Sequence, residues 1–339
     1  MSTFSTHLIH WQRAHGRHDL PWQGADAYRV WLSEIMLQQT QVATVLPYYQ
    51  RFIAAFPDVA TLAAAREDEV LAHWSGLGYY ARGRNLHRAA QHIVAQHHGE
   101  FPREFEQLLA LSGIGRSTAA AICALAYHQN RAILDGNVKR VLARYCGIHG
   151  VASDKAVEAQ LWQAAESLLP QSDIAIYTQA LMDMGATLCT RSKPQCARCP
   201  VRGECVANLS GQVAQLPTPR PRKIVPEKSA TFLLLRYGDQ ILLEKRPSSG
   251  IWGGLWCPPQ IEALAAWMQQ QGLSGDPTPL PPFSHTFTHF KLHLTPLILE
   301  VDFLLEQPES EWMTLHAALQ AAIPTPVRKI LLACRTSTL

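Results

Sequence analysis

The segment Pro217-Thr-Pro-Arg-Pro-Arg-Lys-Ile-Val-Pro226 divides the chain. Its prolines remove backbone donors and fix φ, so it can be neither helix nor central strand. Residues 214–228 carry four Lys or Arg against one acid, the composition of a stiff, basic linker. Before it, apolar residues recur at helical spacing, and no strand pattern appears before about residue 228. Helices are expected over 4–15, 27–52 (broken at Pro47), 59–74, 81–97, 104–110, 117–127, 137–146, 155–169 and 174–188. After the linker, 230–237 and 240–245 read as strands joined at Gly238-Asp239, a hairpin signal. A loop over 251–259, a helix over 261–272, strands over 284–293 and 297–303 and a last helix over 326–334 complete an α+β pattern. The expected division is therefore an all-α domain over 1–213, the linker 214–228, and an α+β domain over 229–339.

With 47% hydrophobic and 17% charged residues, the chain can build sizeable cores. It has no uncharged apolar run of about 18 residues, so no membrane span is expected. Met-Ser-Thr-Phe-Ser-Thr-His lacks a basic and then apolar leader, which makes a cytosolic location the expectation. The net charge of +3 is too small to argue for nucleic-acid binding by itself. Local clusters such as Arg82, Arg84 and Arg88 read equally as a solvated face.

The stretch Leu111-Ser-Gly-Ile-Gly-Arg-Ser-Thr-Ala-Ala-Ala-Ile-Cys123 reads as a turn between two helices. Gly113 and Gly115 permit a turn that side chains would obstruct. Backbone N–H groups would point outward beside a helix N-terminus, an anion site suited to phosphate. Asp135 falls at the mouth of the next helix, where N–H groups and the helix dipole would hold its carboxylate ionised. A plain helical hairpin with a capping Asp fits the spacing equally well. Upstream, Tyr28, Trp31, Leu32, Ile35, Gln39 and Val42 share one largely apolar helix face, and Glu34, Gln38 and Gln41 share another. Glu34 thus borders a core-facing stripe.

Four of the eight cysteines form the run Cys189-x6-Cys196-x2-Cys199-x5-Cys205. Clustered thiols in a cytosolic chain argue for a metal centre over disulfides. Zinc usually takes two closely spaced pairs. Only one pair is close here, which favours a [4Fe–4S] cluster while leaving zinc open.

Together, the Gly-Ile-Gly hairpin, the segment Leu134-Asp-Gly-Asn-Val-Lys-Arg140 and the x6/x2/x5 cysteine run resemble the helix-hairpin-helix DNA glycosylase superfamily with an iron–sulfur cluster. Trp31-Leu-Ser-Glu-Ile-Met-Leu-Gln-Gln-Thr-Gln-Val42 and Gly76-Leu-Gly-Tyr-Tyr-Ala-Arg-Gly-Arg-Asn-Leu-His87 resemble its MutY branch, the adenine DNA glycosylases. The resemblance covers nearly the whole chain. It implies a monomer that excises adenine mispaired with 8-oxoguanine or guanine in double-stranded DNA. It gives Glu34 the role of acid and water activator, and Asp135 that of stabilising a sugar cation. Cys189, Cys196, Cys199 and Cys205 would hold the cluster. Gly113, Gly115 and Ser117 would grip the backbone. Gln39 and Thr40 would read the gap near the lesion, and Tyr79 would wedge into the helix.

Trp22 and Gln179 would line the adenine pocket; the family often carries Arg where Gln23 stands. Related endonuclease III-like enzymes have a Schiff-base lysine at the position of Ser117, and serine cannot form that adduct, so a monofunctional enzyme is implied. The second half resembles a NUDIX-type fold. Between Gly254 and Gly272 it keeps Glu262 but lacks the Arg-Glu and Glu-Glu ligands of a hydrolase, so lesion recognition is the expected role. Phe287-Thr288-His289 resembles the family's Phe-Ser-His loop. The competing readings are a non-catalytic Fe–S DNA-binding or redox-sensing module and a bifunctional glycosylase/lyase.

Overall fold

The computed structural model describes residues 3–220 and 225–336, so residues 221–224 of the expected linker lie outside the described residues. Helices occupy the chain from Thr3 to Thr187, and among the described residues every strand starts at Glu227 or later, as the two sequence textures imply. None of the described helices is long and apolar enough to cross a membrane.

By packing, the chain forms two compact units. One comprises Met1–Val45, Asp58–Ala60 and Arg88–Arg222; the other comprises Leu46–Pro57, Thr61–His87 and Lys223–Leu339. This grouping cuts across chain order. Residues 61–87 join the second unit because Leu71 is buried in the same apolar cluster as Phe232, Leu234 and Trp252. Ser75 Oγ donates to Ile323 O at 2.6 Å, and Lys245 Nζ pairs with Asp68 Oδ1 at 2.7 Å. None of these contacts is visible as a pattern along the sequence.

In the first unit, the helix Ala27–Leu37 starts at Asp26, whose Oδ1 accepts from Arg29 N at 2.9 Å. It ends at Gln38, short of the break expected at Pro47. Gln39 adopts φ +59°, and the next helix, Val42–Ala55, runs through Pro47. The proline removes one helical hydrogen bond, but burial of Tyr49 and Phe52 on that helix compensates. The expected helix over 59–74 is two, Val59–Ala64 and Glu67–Trp74. Glu69 accepts from the Arg66 backbone N–H at 3.0 Å and restarts the helix.

The hairpin helices are Phe105–Leu109 and Arg116–Tyr127, followed by Gly136–Cys146, Lys155–Ser167 and Ile174–Thr187. Their core includes Ala120, Ala124, Leu134, Val138, Tyr177 and Leu181. Gly185 lets two helices meet: a Cβ there would stand 2.7 Å from the Asn137 Cβ.

The second unit holds a mixed sheet. Glu227–Tyr237 is central; it runs parallel to Lys291–Glu300 and antiparallel to Gln240–Lys245. Burial of Leu233, Leu234 and Leu235 in succession shows that both faces of this strand are covered. The expected helix over 261–272 is the shorter Leu264–Gln270. The expected strand over 284–293 is instead a hairpin, Phe283–Thr286 paired with Lys291–Glu300, with residues 287–290 forming its turn. A strand at Ser310–Thr314 pairs with Gln240–Lys245 and had no distinct pattern.

Gly185→Ala is expected to lower stability by about 1–3 kcal/mol, the usual cost of overpacking. Urea unfolding would measure it, and an unchanged midpoint would show that the two helices separate freely.

Candidate active site

Glu34 and Asp135 come together in the first unit. Glu34 sits in the last turns of Ala27–Leu37 beside buried Trp31, Ser33 and Ile35. That helix packs on Arg116–Tyr127. Asp135 caps Gly136–Cys146, with Oδ1 accepting from Val138 N at 2.7 Å. Both carboxyls keep partial surface access, yet surrounding protein desolvates them. Burial, helped by the charge of Asp135, lifts Glu34 to about 8.

At Asp135, burial opposes the N–H groups and helix end that were expected to hold the carboxylate ionised. Burial raises it above the ordinary carboxylate value. The N–H groups of Val138 and Asn137, and the charges of Arg140 and Lys139, oppose that rise. The pair is thus asymmetric: donors and cations support the charged form only at Asp135, so the shared proton belongs on Glu34.

The hairpin turn needs Gly113, which has φ +80°. Gly115 needs no such licence, since its φ is −97° and a Cβ there would meet nothing within 4 Å. Its bareness leaves open space at the N-terminus of Arg116–Tyr127, where the first backbone N–H groups of a helix lack internal partners. Ser117 Oγ accepts from Leu134 N at 2.9 Å, tying the hairpin helix to the residue before Asp135. The serine therefore positions the segment that carries the second carboxyl.

Trp22 is buried in the same unit. Gln23 closes its loop, donating to Arg17 O at 2.7 Å and accepting from Leu20 N at 3.2 Å. Gln179 is 9% exposed, and its Nε2 donates to Asp183 Oδ1 at 2.8 Å. Asp183 is fully buried and was not singled out from the sequence. It also accepts from Gln12 Nε2 at 3.0 Å, and from Arg17 through N at 2.8 Å, Nε at 2.8 Å and Nη2 at 2.5 Å. The only signal for it was its i+4 spacing from Gln179, too common to carry weight. Gln39 and Thr40 occupy the turn after Leu37, where Thr40 N donates to Leu37 O at 3.2 Å.

Cys189, Cys196, Cys199 and Cys205 line one cavity with Leu188, Pro194 and Val213. Among the described residues, no three metal-ligating side chains are grouped to hold a single ion. The four thiols face one cavity, a donor set of the kind that thiolate-bound metal centres use. Buried Arg144 organises the surrounding loops: its guanidinium donates to Cys189 Sγ at 3.3 Å, Thr190 O at 2.8 Å and Leu216 O at 2.8 Å.

The second unit holds the other expected residues. Tyr79 has φ +49° and is 46% exposed. Its hydroxyl lies 3.0 Å from Thr288 Oγ1. Phe287, Thr288 and His289 sit at the hairpin turn, with Phe287 stacked on Phe290 at 4.3 Å between ring centres. The turn closes by Phe287 N donating to Phe290 O at 2.8 Å. Glu262 is exposed and lies outside the helix Leu264–Gln270.

Both halves of the chain are similar to known proteins. Residues 32–167 match the HhH-GPD superfamily of base excision DNA repair proteins, and residues 230–333 match the NUDIX domain. The chain is 38% identical to the adenine DNA glycosylase of Buchnera aphidicola subsp. Acyrthosiphon pisum, over 97% of this chain and 96% of that one. It is 34% identical to the Homo sapiens adenine DNA glycosylase, over 97% of this chain and 73% of that one. Among solved structures, a thermostable thymine-DNA glycosylase aligns with a TM-score of 0.55 and 26% identity, covering 61% of this chain and 95% of that one.

The raised Glu34 carboxyl has a measurable effect on stability. Between the ordinary value of 4.5 and the folded value of about 8, the unfolded chain ionises this group while the folded chain does not. Its contribution to stability therefore falls as pH rises through that window and is level above it. Glu34→Gln removes the effect. The variant's urea midpoint should gain on the parent's between pH 5 and pH 8, and a gap independent of pH would refute the burial account.

Proposed function

The chain belongs to the adenine DNA glycosylase family, and on that premise we propose that it excises adenine opposite 8-oxoguanine or guanine in double-stranded DNA, acting as a monomer. The chain is a monofunctional glycosylase of base excision repair. The observation that carries the proposal is the pairing of Glu34, lifted to about 8, with Asp135 at a helix N-terminus. Hydrolysis of an N-glycosidic bond needs two such unlike groups. Adenine is a poor leaving group until a ring nitrogen is protonated, and Glu34 carries a proton at neutral pH. The departing base leaves an oxocarbenium-like sugar, which the ionised Asp135 stabilises. Glu34, having lost its proton, then activates the water.

The adenine leaves the base stack to reach these groups. Open N–H groups at Gly115, Arg116 and Ser117 hold the flanking phosphate, with Gly113 making the turn. Trp22 and Gln179 enclose the base, while Gln39 and Thr40 meet the gap it leaves. In the second unit, Tyr79 supplies the aromatic wedge, and Phe287, Thr288 and His289 read the lesion. The exposure of Tyr79 and the hairpin-tip position of the tripeptide support these roles. A cytoplasmic location is part of the same reading.

The four clustered cysteines would hold a [4Fe–4S] cluster. When bound, it supplies four thiolate bonds that cross-link the loop from Cys189 to Cys205. Arg144 and Arg140 reach the same loop, since Arg140 Nε donates to Cys189 O at 2.7 Å.

Single-turnover cleavage of an A·8-oxoguanine duplex, revealed by alkali, tests the reading; absence of excision would reject it. Glu34→Gln should retain duplex binding while losing at least about 100-fold in rate, the scale of a missing general acid. The parent's rate should fall about tenfold per pH unit above the Glu34 value of about 8. Purified protein should be brown with broad visible absorbance that a chelator of iron, not of zinc, removes; a colourless zinc protein would refute the cluster assignment.

A further inference from the structure

Resting on the assignment of Gln179 to the adenine pocket, we propose that Asp183 is a positioning residue. It dictates which atom of the Gln179 amide meets the base, and through it the preference for a 6-amino over a 6-oxo purine. A glutamine amide can present either end, acceptor or donor. Here one end is decided. Asp183 is fully buried, and its two oxygens receive five hydrogen bonds, from Gln12, Arg17 and Gln179.

A carboxylate paired with a guanidinium has no hydrogen to give. Only the NH₂ end of Gln179 can therefore face it, at 2.8 Å. Turning the amide over would set two acceptors against each other at that distance, away from water. Gln179 Oε1 is the end left over, and it accepts no hydrogen bond among the described residues.

That orientation has a chemical consequence. Adenine offers an N7 acceptor beside an N6 donor along one edge, whereas 6-oxo purines replace the N6 donor with an acceptor. A protonated Glu34 and an Oε1 acceptor complement the adenine pattern. The same Oε1 opposes the oxygen of a 6-oxo purine. Arg17 wraps Asp183 through its backbone N–H and its guanidinium, and Gln23 closes the loop on Arg17 O. One buried carboxylate thus fastens both the Trp22 loop and the Gln179 amide.

The test measures single-turnover excision of adenine and of hypoxanthine, each opposite the same base, in the full-length protein. In Asp183→Asn the new amide can donate to Gln179 Oε1, so the glutamine is free to turn. The adenine-to-hypoxanthine rate ratio should fall at least about tenfold, within the range expected when a matched polar contact is lost. A folded Asp183→Asn protein with the parent's ratio overturns the proposal. Gln179→Met reads the orientation without touching Asp183. Removing an opposing Oε1 should raise the hypoxanthine rate several-fold; a fall would mean that Nε2 had been donating to the base, and would also overturn the proposal. Unchanged adenine excision in Gln179→Met would instead overturn the pocket assignment itself, and this role for Asp183 with it.

Discussion

The helix Gly136–Cys146 is held at both ends by buried polar contacts, and the first unit depends on it. At its N-terminus, Asp135 closes the first turn through Val138 N, and Ser117 Oγ fixes the preceding residue Leu134. Further along, Arg140 donates to Gly185 O and Cys189 O. Near its C-terminus, buried Arg144 gathers the carbonyls of Thr190, Arg191, Val213 and Leu216. The Asp135 carboxyl does not ride on a free surface loop. Here its backbone is tied to the hairpin on one side and to the cysteine loop on the other.

The two carboxyls show how one environment yields two behaviours. Desolvation acts on both, but Glu34 has only that burial and the repulsion of Asp135 acting on it. Asp135 has two N–H donors and two cationic neighbours to offset the same penalty. Placing Glu34 in a helix body and Asp135 at a helix mouth produces the asymmetry without any special residue type. The Asp183 cluster applies the same economy to geometry. A buried acceptor, saturated from several sides, leaves its neighbours no alternative orientation.

Much of this was legible along the chain. The change from helical to alternating patterns located the strands, and Asp135 was readable as a cap because Asp before Gly-Asn-Val opens a helix. The cysteine run was readable as four thiols close along the chain, and the fold sets them around one cavity. What failed, failed for tertiary reasons. Pro47 does not break its helix, since burial of its neighbours outweighs one lost hydrogen bond. Gln39 turns the chain early, although nothing but its φ of +59° marks it. Phe287-Thr288-His289 lies at a turn because Phe283–Thr286 folds back on Lys291–Glu300, a pairing that alternation alone cannot locate.

The sequence by itself determined the two fold textures, the identity of both carboxyls, the thiol set and the absence of a lysine at Ser117. These depend on residue type and on spacings shorter than a helix. Tertiary structure alone decided the rest. It set the ionisation order of Glu34 and Asp135, because desolvation depends on atoms from many segments. It joined residues 61–87 to the unit of the sheet, because Leu71 finds its apolar partners there. It also gave Asp183 its five donors, which come from positions 12, 17 and 179 and meet only when the chain is folded.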